Sequence, residues 1–398
     1  MTPQAITERS RNVALRRSPA VREALRAFAL SRVLVWGAAV LAVYVIPFDG
    51  YQERLHDTPS LTGGLGRVLG SLARWDATWY LSIAHSGYGS TEPVRAAFFP
   101  LYPAAVRVVA LGIPSGWAML LASYVVSGAA LFVALVLMYR LVELELGRRF
   151  APAAVMLLAL WPASFFFSAP YSESLFLALS IGMFYAARTD HWAWAGGLCA
   201  AATATRATGM LLLLPLGIMA WRARKLEWVL VGPIGAVVFS LWLSIAGLRP
   251  FGWADVERDW GHVYKGPFAG IHDAIVAGWN GVDHVFSPGG FNQVVAAENT
   301  IYLVFLVLAL IAMAGVFRRM RPEYGAYVAI SLLVAVSAPV AWQPLMSFGR
   351  LLAVVFPIPM WLALVLHRRR VATAAVYAAS AALLVCATGA FATWHLVT

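Results

Sequence analysis

The sequence predicts an all-α, polytopic membrane protein of about eleven transmembrane helices. Three observations lead there. Of 398 residues, 61% are hydrophobic and 12% are charged, against ~25% charged in a soluble domain. The mean hydropathy is +0.73. Runs such as 30–47, 117–139 and 371–394 approach or exceed the ~20 apolar residues that cross a hydrocarbon core.

The elements follow in order once arginine is used as a topology marker. Basic groups at Arg9–Arg26, Arg140 with Arg148 and Arg149, Arg188, Arg222 to Lys225, Arg318 to Arg321 and Arg368 to Arg370 are assigned to the cytoplasm. The chain must therefore cross an even number of times between successive groups. Residues 1–26 form a basic cytoplasmic terminus. The span 27–47 lacks a small-residue cleavage site and reads as an anchor, with Arg32 snorkelling to the interface. An outer segment, 48–116, holds amphipathic stretches near 73–87 and 99–112 that read as helices lying in the interface. Spans near 117–139, 151–168 and 171–187 follow. The stretch 191–221 keeps Arg222 inside only if it divides into 192–205 and 208–221. That division puts Arg206 in a break at the outer membrane face, where irregular backbone is tolerated beside a cavity or buried in protein. Spans near 228–247, 299–317, 325–342, 350–366 and 371–394 complete a single transmembrane domain over 27–398. A second outer loop, 249–298, interrupts it.

Composition also excludes several function classes. The net charge of +11 is carried almost wholly by arginine, with Lys225 and Lys265 the only lysines. Abundant Ala, Gly and Arg read as the coding bias of a GC-rich bacterial genome. Positive-inside loops account for the basic surplus. No basic stripe interleaved with aromatics points to nucleic acid. Cys199 and Cys386 lie in apolar runs and read as small core residues rather than a disulfide or metal site. Phosphate-cradling Gly-rich loops, HExxH and Gly-x-Ser-x-Gly are missing, which argues against a nucleotide-fuelled cytoplasmic reaction. No repeat of solenoid or duplicated-half transporter type is present.

The scarce ionisable residues at the outer junctions carry the functional signal. Asp76 stands in Arg74-Trp75-Asp76, Glu92 follows, and Glu173 lies in Ala169-Pro170-Tyr171-Ser172-Glu173-Ser174. Arg206 and Arg350 join them on the same side of the threaded chain. Ionised groups at membrane depth are costly and usually face a functional cavity. Each also has a bland reading. Trp75, Trp79 and Tyr80 fit an aromatic belt with Asp76 merely solvated. Glu173 fits a helix start favoured by the macrodipole, and Arg350 fits a headgroup contact. Glu92 and Arg107 read as surface residues. His85 lies nine positions after Asp76, about 180° round an ideal helix, and should not pair with it. His262, His272 and His284 lack close ligand spacing.

One carboxylate and two arginines at membrane level suit glycosyl transfer from a lipid-linked phosphate. The arginines would hold the phosphate, and the carboxylate would act as general base on an acceptor hydroxyl. A single base without a covalent nucleophile predicts inversion at the sugar carbon.

The motifs that carry these residues resemble the PIG-V-like mannosyltransferases. This eukaryotic family adds the second mannose of the GPI anchor and has bacterial relatives. The resemblance rests on Arg74-Trp75-Asp76-Ala77-Thr78-Trp79-Tyr80-Leu81-Ser82-Ile83-Ala84 with Gly87-Tyr88, and on Ala97-Phe98-Phe99-Pro100-Leu101-Tyr102-Pro103. It continues in order through Phe167 to Phe176, Ala204-Thr205-Arg206-Ala207-Thr208-Gly209 and Arg350 with Phe356-Pro357, with a weaker echo in Asp259-Trp260-Gly261-His262. It implies a GT-C fold, a polyprenyl-phosphate-mannose donor and inversion. Asp76 matches the family's catalytic carboxylate, with Arg74, Trp75, Tyr171, Glu173, Arg206 and Arg350 as the substrate-binding set. Many GT-C relatives pair two acids in the first loop. Here Asp76 stands alone between Trp75 and Ala77, so neither a metal nor a cofactor is expected. The expected partners are the lipid-linked donor, membrane lipids and an envelope glycolipid, lipoglycan or protein acceptor. The expected location is a bacterial plasma membrane with the site outside the cell. A flippase for lipid-linked sugar is the alternative. It would distribute its charges through the bilayer depth. A non-catalytic scaffold would leave the shared face of the four charged residues unexplained.

Overall fold

The computed structural model describes residues 18–47, 64–89, 92–286 and 289–395. Most of the expected basic terminus and the start of the first outer loop, 48–63, lie outside this range. Helix is the rule among the described residues, and the sole β contact is an isolated bridge between His262 and Val340.

The helices are α1 (Pro19–Val45), α2 (Gly64–Leu69), α3 (Ala77–Ser86), α4 (Leu101–Val109), α5 (Gly116–Glu145), α6 (Ala151–Ala159), α7 (Glu173–Arg188), α8 (Trp192–Thr203) and α9 (Leu213–Ala223). Then come α10 (Ile234–Ile245), α11 (Gly252–Asp259), α12 (Pro267–Asn280), α13 (Phe291–Arg319), α14 (Pro322–Ser337), α15 (Phe348–Val354), α16 (Pro357–Leu366) and α17 (Arg370–Ala392). Proline stands in the first turn of α1, α6, α12, α14 and α16, where its missing N–H costs nothing.

The chain is a multi-pass membrane protein. Among the described residues four helices are long and apolar enough to cross a bilayer: α1, α5, α13 and α17. A fifth crossing results if α15 and α16, bent by 74° at their junction, count as one broken span. The remaining apolar helices are shorter. The expected span 151–168 is an example: α6 stops at Ala159, and a 3-10 turn, Ser164–Phe167, follows. Pro162 cannot donate to a helical ladder and disfavours helix before it, so the helix is interrupted there.

Helix α7 sits at the centre of the packing, flanked chiefly by α5 and α8, while α17 lies along α1. The core around α7 is aromatic, with Phe165, Phe167, Phe176 and Phe184 fully buried. Because α17 packs by one face only, Cys386 is exposed on its other face, unlike the buried Cys199. The expectation of two core cysteines therefore holds for one of them.

Arg32 also departs from expectation. Instead of snorkelling it is 7% exposed. Its guanidinium donates to the Ser164 carbonyl at 2.8 Å, Ser168 Oγ at 2.7 Å, Ser164 Oγ at 3.0 Å and the Ala159 carbonyl at 3.3 Å. The cause is the break after α6. Its freed carbonyls need donors in a place without water, and Arg32 supplies several at once. One arginine on α1 thereby fastens the segment that leads into α7.

Candidate active site

The site is assembled from four breaks in helical structure. Asp76 directly precedes α3. The turn before it is built by hydrogen bonds from Ala77 N–H to the Arg74 carbonyl and from Thr78 N–H to the Trp75 carbonyl, at 3.1 and 3.0 Å. Trp75 takes the left-handed region with φ 53°, unusual for a bulky side chain. Glu173 is the first residue of α7, where the macrodipole favours an anion. Arg206 is extended (φ −159°, ψ 151°) between α8 and the 3-10 turn Ala207–Leu212, so the helix does break there. Gly209 makes that break fit: a Cβ at this position would lie 2.3 Å from the Ala202 carbonyl oxygen. Arg350 lies in the first turn of α15, reached through Ser347 at φ 62°. Left-handed non-glycine residues thus stand close to both Asp76 and Arg350.

These breaks bring the four ionisable side chains into one alternating chain. Arg350 Nη1 donates to Asp76 Oδ2 at 2.5 Å. Arg350 Nε lies 3.4 Å from Glu173 Oε1. Arg206 Nη1 donates to the same Glu173 oxygen. The Arg350 guanidinium also lies over the Phe166 and Tyr171 rings, 5.8 Å from each centroid, and Arg206 lies over Phe176. The chain of contacts is open at its ends and sealed at Glu173: the Asp76 side chain is 31% exposed, that of Arg206 15% and that of Glu173 1%. Of the two carboxylates, Asp76 is the one open to solvent.

The other expected binding residues form the wall. Tyr171 is buried and donates from its hydroxyl to the Arg74 carbonyl at 3.1 Å. Arg74 is 4% exposed. Its Nε donates to the Ala392 carbonyl at 3.0 Å, and its guanidinium lies over Trp394. Trp75 meets Trp394 edge-on at 5.4 Å. Arg74 and Trp75 are therefore turned toward the end of α17. Tyr80 shares a hydrogen bond with Ser172 Oγ at 2.8 Å, one residue from Glu173. Burial pushes its phenol up to about 12, with the Glu173 charge adding to the shift, so it is a neutral hydroxyl at physiological pH.

Sequence reasoning missed Arg95, Tyr80 and Trp394 as parts of this assembly. Arg95 is buried, donates to the Gly87 carbonyl and Ser82 Oγ, and pairs with Glu92. It ties the end of α3 to the turn that follows. Arg107 donates to the Ala84 and His85 carbonyls, at 3.1 and 2.8 Å, at the same helix end. His85 lies at the far end of α3 from Asp76 and bonds Ser86 Oγ at 2.9 Å. In the second outer segment, Trp260 packs on Phe98, and His262 Nδ1 lies 2.9 Å from the Ala338 carbonyl oxygen. Among the described residues no three His, Cys, Asp or Glu side chains are grouped as a metal would require.

Comparison with known proteins points the same way. Residues 31–219 match the family model described as Mannosyltransferase (PIG-V). The matched stretch includes Asp76, Glu173 and Arg206 and ends well before Arg350. GPI alpha-1,6-mannosyltransferase 2 of Cricetulus griseus is 34% identical over 205 residues, 48% of this chain and 41% of that protein. GPI mannosyltransferase 2 of Drosophila pseudoobscura pseudoobscura is 34% identical over 171 residues, 38% of this chain and 37% of that protein. The alignments thus span about two fifths of the length of these curated relatives. The family match runs from within α1 to within α9, just under half of the chain, and folding brings Arg350 to the same site.

Proposed function

We propose that this protein is an inverting mannosyltransferase of a bacterial plasma membrane, moving mannose from a polyprenyl-phosphate-mannose donor to an acceptor outside the cell. The observation that carries this reading is the ion-pair chain. A solvent-reachable carboxylate stands against Arg350, which is linked through a buried Glu173 to Arg206. Similarity to the PIG-V mannosyltransferases over 31–219 supports the sugar and the reaction class.

In the reaction, Asp76 takes the proton of the acceptor hydroxyl as its oxygen forms a bond to C1 of mannose. The C1–O bond to phosphate breaks on the opposite face, and polyprenyl phosphate leaves with the electron pair. One reachable carboxylate gives a single displacement and inversion. Arg350 and Arg206 stabilise the phosphate as negative charge develops on its bridging oxygen. Glu173, sealed between them, holds both arginines in place rather than touching substrate. A groove of about 500 Å³ lined by Tyr88, Pro103, Ala204, Phe239 and Trp242 offers an apolar wall for the prenyl chain close in sequence to Arg206. The relatives' names bring GPI-type lipids into view. For this chain the acceptor is an envelope glycolipid, lipoglycan or protein. On this reading the shorter apolar helices complete about eleven crossings in one GT-C-like domain over 27–398, with the N-terminus in the cytoplasm.

The test is transfer of radiolabelled mannose from polyprenyl-phosphate-mannose to envelope lipid extract by purified protein. Asp76→Asn should lower the rate about 10²- to 10⁴-fold, the usual scale of a lost general base. Equal transfer by wild type and variant would overturn the assignment.

A further inference from the structure

We infer that Arg350 is a donor-operated latch on the base: the donor's phosphate takes the guanidinium from Asp76 and so frees the carboxylate only when donor is bound. The inference rests on the reading of the site as a lipid-phosphate-dependent transferase.

The charge balance of the network motivates it. Asp76, Arg350, Glu173 and Arg206 are two anions and two cations, already matched to one another. A phosphate arriving at these arginines binds best by displacing a carboxylate. The geometry selects which one yields. Glu173 is 1% exposed, contacts both arginines and sits at the favourable end of α7. Asp76 is 31% exposed, and its side chain is held in the network by Arg350.

Arg350 can exchange partners without leaving its place. Its guanidinium stays over Phe166 and Tyr171 and its Nε faces Glu173, while the Nη1 edge that holds Asp76 is the part that turns to phosphate. The planar fork suits carboxylate and phosphate oxygens alike. In the absence of donor, Asp76 Oδ2 accepts from the Arg350 guanidinium, which keeps the carboxylate turned into the network. With donor bound, that oxygen is free to accept the proton of the acceptor hydroxyl. Binding and activation of the base become one event, and the donor is required to bind first.

The test uses farnesyl phosphate, a prenyl phosphate without sugar, titrated into purified full-length protein in nanodiscs by calorimetry. If phosphate competes with Asp76, removing the competitor tightens binding. Asp76→Asn should bind about tenfold more tightly than wild type, the scale of one charge-assisted hydrogen bond, although it loses transferase activity. Asp255→Asn, which removes an exposed charge paired with exposed arginines in the second outer segment, should match wild type. On an Arg350→Gln background, Asp76→Asn should give no gain, which separates direct competition from a general charge effect. Thermal melting establishes that each variant is folded. Equal or weaker binding by Asp76→Asn, or a gain that persists without Arg350, would overturn the latch alone, provided wild type binds the probe and transfers mannose. A wild type that neither binds farnesyl phosphate nor transfers mannose would overturn the proposed function with it.

Discussion

At the scale of single residues, Glu173 and Asp76 have the same chemistry and opposite fates. Asp76 reaches solvent; Glu173 is sealed beneath two guanidinia. Removing one partner of a buried ion pair leaves the other uncompensated, at a typical cost of about 3–5 kcal/mol. Glu173→Gln keeps the shape and deletes the charge. It should lower stability by roughly 3 kcal/mol, read as a fall in the thermal midpoint of detergent-solubilised protein. Asp76→Asn, at a partly solvated site, should shift that midpoint far less while removing transfer. Equal shifts in both variants would contradict the division into a reachable base and a sealed organiser.

At the scale of elements, the site depends on how helices end. Arg32 occupies the break after α6 from a different helix, and the break at Arg206 depends on Gly209. Arg206 N–H donates to the Ala202 carbonyl at 3.2 Å, and Gly209 N–H donates to the Arg206 carbonyl at 2.9 Å. A methyl group at Gly209 would collide with backbone at Ala202 rather than with a flexible side chain. Gly209→Ala should therefore push the 3-10 turn off α8 and move Arg206 from Glu173. The expected result is a loss of mannosyl transfer of at least about tenfold, since small misplacements at a reacting site are costly, together with a lower melting midpoint. Unchanged activity and melting would show that the break tolerates the shift. The opposite end of α7 has its own clamp. Arg188 pairs with Glu145 at the end of α5, Arg321 lies 3.2 Å from the same carboxylate, and Arg222 lies 3.6 Å from Glu323.

At the scale of the whole molecule, these two networks lie at opposite ends of α7. Glu173 and Arg188 are the first and last residues of α7, about 22 Å apart at 1.5 Å per residue. That is most of a ~30 Å hydrocarbon core. The proposed topology puts the Asp76 network outside and the arginine-rich clamp inside. With Cys199 and Cys386 replaced by alanine, a single cysteine at Glu92 should react with a membrane-impermeant maleimide in intact cells. One at Asp190, just past α7, should react only after the cells are opened. Labelling of both from outside would refute the sidedness and, with it, an external site.

Much of this was legible in the chain itself. Hydropathy is a property of consecutive residues, so α1, α5, α13 and α17 could be read directly. Arginine spacing likewise located the break at Arg206, because a topology constraint acts along the sequence. The cost of charge in hydrocarbon singled out Asp76, Glu173, Arg206 and Arg350 before any contact was known. Other facts depend on distance in space, which sequence order does not encode. The direct contact of Asp76 with a residue 274 positions away is one. The different exposure of two carboxylates is another, and Arg32 filling the break after α6 from another helix is a third. Whether a carboxylate serves as reagent or as support is decided by what packs over it, and only the tertiary structure supplies that.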